Sequence, residues 1–153
     1  MAYASEKHSV ETPSYSQTCA LKVSRDNGAT WGPETVLVSQ TGGGGLRPGM
    51  PVVTRMRDGR YMEVSEIVGI DNAAVFCKIS PDGTHWPPGL GAPIALQHAC
   101  PWVVSLTDGQ LLVTSCSNQI STSEDYERTW SWSHPPAWDI GFALSFPAIY
   151  QTG

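Results

Sequence analysis

Three side chains of different chemistry stand at the ends of β-rich runs and are the groups best suited to act on a ligand. Glu66 closes the run "YMEVSE". A carboxylate there serves as general acid or base if burial raises its pKa; the alternative is a solvated strand-end glutamate. Arg47 follows the glycines of "TGGGG" and could grip a carboxylate or hydroxyls bidentately, or be a plain loop arginine. His98, close to Trp102, offers stacking or a hydrogen bond, against a purely structural role. Glu63 alternates onto the other face from Glu66 and is read as solvent-facing or lying between sheets. No Ser-His-Asp spacing is visible, and Gly42–Gly45 lacks the GK[ST] and following helix of a phosphate loop. Cys19, Cys77, Cys100 and Cys116 show no zinc spacing, so neither metal nor cofactor is expected. Cys100 and Cys116 lie within one residue of cross-strand register, which leaves a disulfide and two half-buried thiols both open.

The elements that position these residues come in repeats. "GMPVVTRMRDGRYMEVSE" (49–66) aligns with "ACPWVVSLTDGQLLVTSC" (99–116): Pro51 falls on Pro101, and Asp58-Gly59 on Asp108-Gly109. Two β-rich runs around Asp-Gly predict a hairpin, with a type I′ turn that needs positive φ at both central residues. A further copy begins at "SFPAIYQTG" (145–153). Arg55, Arg57 and Arg60 flank the first hairpin turn and are read as solvated.

A second repeat runs in phase. "SRDNGATW" carries Ser24, Asp26, Gly28 and Trp31; "SPDGTHW" carries Ser80, Asp82, Gly83 and Trp86, one residue shorter; "SEDYERTW" carries Ser123, Asp125 and Trp130, with Glu127 in the glycine's place. An Asp side chain caps the backbone of its own tight turn, glycine supplies positive φ, and the Trp is expected to fold back into the packing between sheets. These residues are read as a structural clasp. Trp132 and Trp138 are also read as packing residues first and ligand-stacking residues second. The unit becomes four antiparallel strands per roughly 40–50 residues, the description of a propeller blade. The expected fold class is all-β, a β-propeller of four-stranded blades. Residues 3–47 supply the end of one blade, 48–97 and 98–144 two more, and 145–153 the first strand of another.

The three turns resemble the Asp-box, or BNR repeat, of the sialidase-like β-propellers, and "SRDNGATW" matches at every fixed position. "LRPGMPVVTRMRDGRYMEVSE" further resembles the Arg-x-Gly-Met-Pro segment of sialidase-like glycoside hydrolases and, more distantly, of exo-arabinanases. Arg47, Gly49, Met50, Pro51 and Glu66 carry that match. The resemblance implies a six-bladed ring with an axial pocket, Asp-boxes on the far rim, and action on a terminal sugar of a glycan. It implies Glu66 as the catalytic carboxylate, with Arg47 on the substrate; His98 joins them as a substrate-binding candidate on its own position beside Trp102. Two departures stand against a sialidase: Ser65 replaces the family's Tyr, and Ser145 replaces an arginine. A non-catalytic carbohydrate-binding or scaffold propeller is the alternative reading.

The bulk composition narrows the classes. Nine basic residues are scattered and the net charge is −5, which argues against nucleic acid or an anionic membrane as partner. Fifteen Gly and twelve Pro disfavour long helices, and no apolar run spans a bilayer. The N-terminus lacks the pattern of a secretion signal, although the resemblance leans weakly to extracellular glycans. About three blades' worth of sequence predicts that two copies close one six-bladed ring, the rival being a fragment of a longer chain.

Overall fold

The computed structural model describes residues 2–6, 17–40, 46–71, 73–117, 119–126, 128–133, 149 and 151. Gly42–Gly45, Glu127, Trp138 and Ser145 lie outside the described residues. Every regular element among those described is a strand, and the strands form three antiparallel meanders. The first sheet orders β1 (Ala2–Glu6), β2 (Gln17–Leu21) and β3 (Thr35–Gln40). The second orders β4 (Arg47–Arg55), β5 (Tyr61–Val68), β6 (Ala74–Ser80) and β7 (Ala92–His98). The third orders β8 (Trp102–Ser105), β9 (Leu111–Thr114), β10 (Ile120–Ser123) and β11 (Ser131–Ser133). Strand β1 was not expected; it pairs with β2 from Ala2↔Leu21 to Glu6↔Gln17.

Both Asp-Gly hairpins form, but not with the expected turn. Gly59 N–H donates to Met56 O at 3.0 Å and Met56 N–H to Arg60 O at 2.8 Å; Gly109 and Leu106 repeat the pattern. Only the glycines, at φ 91° and 98°, adopt positive φ. This is a three-residue loop whose glycine forms the bulge, and it leaves the aspartates in ordinary backbone. The aspartates instead accept hydrogen bonds two residues on, Asp58 from Arg60 N–H (3.0 Å) and Asp108 from Gln110 N–H (2.9 Å). Of the three turn arginines Arg55 is exposed as expected, whereas Arg57 and Arg60 are also engaged. Arg60 pairs with Asp58 at 2.6 Å and lies over the Tyr126 ring, while Arg57 reaches Asp108 O at 2.7 Å and ties the two hairpins together.

The sheets pack face to face, and β5 is buried on both sides. Met62 and Val64 join Val75, Cys77 and Ile94 against Val103, Leu111 and Val113 of the third sheet. On the other side Ile67, with Phe76, Trp86 and Leu90, meets Cys19, Leu21, Leu37 and Val38 of the first sheet. Each such Leu, Ile, Val or Met contributes roughly 1.5–3 kcal/mol by leaving water. A strand covered on both faces has no apolar–polar alternation, so β5 accommodates the buried Glu63 and Ser65 among its apolar residues. Beyond the third sheet, Ile149 and Gln151 lie along β8: Trp102 Nε1–H donates to Ile149 O at 3.1 Å, and Thr107 N–H to Gln151 Oε1 at 3.0 Å.

The Asp turns and Asp-Gly hairpins gather at one end of the sheets. In the first turn Thr30 donates to Asp26 through its N–H (2.9 Å) and its hydroxyl (2.5 Å), and Gly28 N–H donates to Ser24 Oγ (2.7 Å). Thr129 serves Asp125 in the same way, at 2.8 and 2.7 Å. The shorter second turn brings His85 to that place: its N–H and Nδ1 meet Asp82 at 2.8 and 2.5 Å. These bonds favour the ionised forms. Asp26 falls to about 2, chiefly through the Thr30 hydroxyl, and Asp82 and Asp125 fall as well, led by His85 and by Thr129 N–H respectively. The tryptophans diverge. Trp86 bonds Gly83 O at 3.1 Å and packs in the core, as Trp130 packs, whereas Trp31 is 46% exposed. Trp31 lines a cleft of about 340 Å³ with Arg25, Val53 and Tyr61 instead of folding into the sheet packing.

Candidate functional site

The opposite end of the sheets holds Arg47, Glu66 and His98. Glu66 pairs across the strands with Gly49, just before a bulge in β4. Its carboxylate lies over that glycine. A Cβ at position 49 would stand 3.1 Å from Glu66 Oε1 and 3.6 Å from its Cγ. The bare backbone is therefore what lets the carboxylate fold across β4. The other oxygen, Oε2, accepts the Cys100 N–H at 2.7 Å, the short distance of a charge-assisted bond. Glu66 is thus held from two sheets, half-buried and oriented.

The backbone around it is unusual. Met50, Ala73, Ala99 and Cys100 all have positive φ (50°, 66°, 53° and 43°) although none is glycine. Such conformations cost on the order of 1–3 kcal/mol each and survive only where neighbours over-determine them; they gather at ligand sites. Here Ala99 N–H donates to Ala73 O at 2.9 Å, and Cys116 N–H to His98 O and Ala99 O at 3.1 and 3.2 Å. These bonds aim Cys100 N–H at Glu66.

Arg47 opens β4 opposite Val68, exposed and two residues before Gly49, so it shares the strand face of that glycine. His98 ends β7 opposite Ala74. Its main chain is fixed by Ser115 Oγ at 3.0 Å, itself part of a buried network with Gln97 and Ser117. The three predicted residues share one end of the sheets, yet among the described residues no hydrogen bond joins them. No disulfide links Cys100 to Cys116, and no cluster of His, Cys, Asp or Glu fit for a metal occurs among the described residues.

Spacing gave no sign of Gln17, and for Glu63 it left open the face between sheets, where the structure puts it. Gln17, the first residue of β2, brings its side chain from the neighbouring sheet: Nε2 stands 3.8 Å from the same point above Gly49. Its Oε1 is buried without a hydrogen-bond partner. Glu63 is 0% exposed, and neither of its oxygens has a hydrogen bond of good geometry. It faces the first sheet, opposite Lys78, whose Nζ donates instead to Leu37 O (2.7 Å) and Pro87 O (3.1 Å). Burial pushes the Glu63 carboxyl up to about 7, with the Ser65 hydroxyl and the Lys78 charge opposing by less. The Cys19 thiol rises to about 12, first through burial and then through the charges of Glu63 and Glu66. Cys19 therefore lies within electrostatic reach of both carboxylates.

Three antiparallel meanders packed face to face, with turns at one end and a strained, carboxylate-bearing backbone at the other, make this chain part of a β-propeller. No family model matches it, and no curated protein matches it. Solved structures do. An alpha-L-arabinanase from Penicillium chrysogenum, complexed with arabinobiose, is similar with a TM-score of 0.61 at 23% identity. An alpha-L-arabinofuranosidase from Fusarium graminearum, in complex with an iminosugar inhibitor, is similar with a TM-score of 0.57 at 20% identity. Each similarity covers 77% of this chain and 40% of the other, so the matched part takes in well under half of each enzyme.

Proposed function

We propose that this chain contributes the catalytic carboxylate end of a propeller glycoside hydrolase that acts on a terminal sugar, of α-L-arabinofuranosyl type. The observation that carries the reading is Glu66, set over Gly49 and gripped by Cys100 N–H. A carboxylate fixed in this way suits attack on, or proton exchange with, an anomeric centre. In this reading Arg47 binds substrate hydroxyls and His98 lines the pocket wall. A neutral sugar fits better than an acidic one at Glu66, because that carboxylate would repel a substrate carboxylate. The three sheets are read as consecutive blades, with residues 145–153 opening another, and a second copy of the chain as the source of the blades that close the ring.

The test is hydrolysis of an aryl α-L-arabinofuranoside, run on a sample whose mass has been measured by light scattering. Activity from a species of twice the 16.5 kDa chain mass, reduced about 100-fold or more in Glu66→Gln, supports the reading. Undiminished hydrolysis by Glu66→Gln refutes it. One observation favours a second reading, carbohydrate binding without turnover. Ser65, standing where sialidases have tyrosine, is fully buried and faces the first sheet, away from Glu66. Sugar binding with no hydrolysis by the wild type would select that reading.

A further inference from the structure

Gln17 and Glu66 approach one spot from different sheets. Measured from a single point above the Cα of Gly49, Glu66 Oε1 lies at 3.1 Å and Gln17 Nε2 at 3.8 Å. The amide nitrogen and the carboxylate oxygen thus both border the point above Gly49. The acceptor end of the amide is left over: Gln17 Oε1 is buried and receives no hydrogen bond from the protein. Leaving a buried amide carbonyl unpaired is unfavourable, and the folded chain accepts that cost at a residue bordering the candidate site.

We propose that Gln17 is a substrate-binding residue whose Oε1 receives a hydroxyl of the sugar held at Glu66, and that it sets which hydroxyl pattern the site accepts. The proposal rests on the glycosidase reading above. A sugar hydroxyl donates one hydrogen bond and accepts others, so a single OH can satisfy the Gln17 carbonyl. A site that hydrogen-bonds a hydroxyl strongly rejects the analogue lacking it, because its own polar group is then stranded. Gly49, having no side chain, lets both groups close over β4. The β1–β2 ladder holds Gln17 at the same end as Glu66 through its pairing with Glu6.

The experiment uses the full chain and calorimetric binding of methyl α-L-arabinofuranoside and its three monodeoxy analogues. Wild type is expected to bind one analogue about tenfold more weakly than the parent. Gln17→Ala is expected to lose that discrimination, while Glu66→Gln retains it. Gln17→Glu, nearly isosteric, sets a second carboxylate beside Glu66 and is expected to shift the acid limb of the kcat/KM profile to higher pH, a change that a merely structural residue would not produce. Unchanged discrimination in Gln17→Ala overturns the proposal, and if Glu66→Gln has also abolished hydrolysis, the glycosidase reading survives alone. Failure of wild type to bind any of the glycosides overturns both.

Discussion

Replacing Glu63 by glutamine removes a charge that the packed sheets disfavour. Burial lifts the Glu63 carboxyl to about 7, above its ordinary 4.5, so the native chain holds this proton more tightly than the unfolded one. Below about pH 4.5 both states are protonated and the group contributes nothing to pH dependence. As pH rises from there the unfolded chain loses its proton while the folded chain keeps it, and stability falls until about pH 7. Above that both are ionised and the loss is complete. At ~1.4 kcal/mol per unit the full effect approaches about 3 kcal/mol, an upper bound because water penetration and relaxation reduce it. Glutamine keeps the shape without the ionisation. Urea denaturation followed by tryptophan fluorescence, at pH 4.5 and pH 8, measures the difference. Glu63→Gln is expected to match wild type at the lower pH and to exceed it by up to about 3 kcal/mol at the higher. Parallel pH profiles for the two proteins would refute the reasoning, and would mean that Glu63 is solvated or paired in solution.

Two other substitutions test the geometry. Gly49→Ala puts a methyl group 3.1 Å from Glu66 Oε1; it should lower kcat by about tenfold or more through misplacement of the carboxylate, with little change in urea midpoint. Gly91→Ala is the opposite case: its Cβ would stand 2.2 Å from Cys77 O, at φ 95°, and the urea midpoint should fall by the equivalent of about 3 kcal/mol or more.

Much of the fold is legible in local chemistry. Asp58-Gly59 and Asp108-Gly109 mark their hairpins because a tight turn needs a residue that tolerates positive φ, and only the turn subtype differed. The pairing of Glu63 with Glu66 shows where legibility ends. They sit three residues apart in one strand, and alternation alone puts them on opposite faces. Which face was dry depended on a neighbour: the first sheet, carrying Cys19 and Leu37, covers Glu63 completely. Trp31, Trp86 and Trp130 occupy like positions in like motifs, yet Trp31 stays half exposed, because what a turn tryptophan packs against belongs to another sheet.

The all-β class, the strand–turn–strand repeat and the end of the sheets at which Glu66, Arg47 and His98 gather follow from local chemistry, since each rests on interactions among residues close in the chain. The meeting of Gln17, Gly49, Glu66 and Cys100 comes instead from the packing of separate strands. Their strands are β2, β4 and β5, with Cys100 on the approach to β8, and the contacts bridge as many as 34 positions between Glu66 and Cys100. Such contacts arise from the stacking of whole sheets, driven by apolar area that is not tied to any one pair of residues. The partners it brings together at the polar end leave no periodic trace in the sequence.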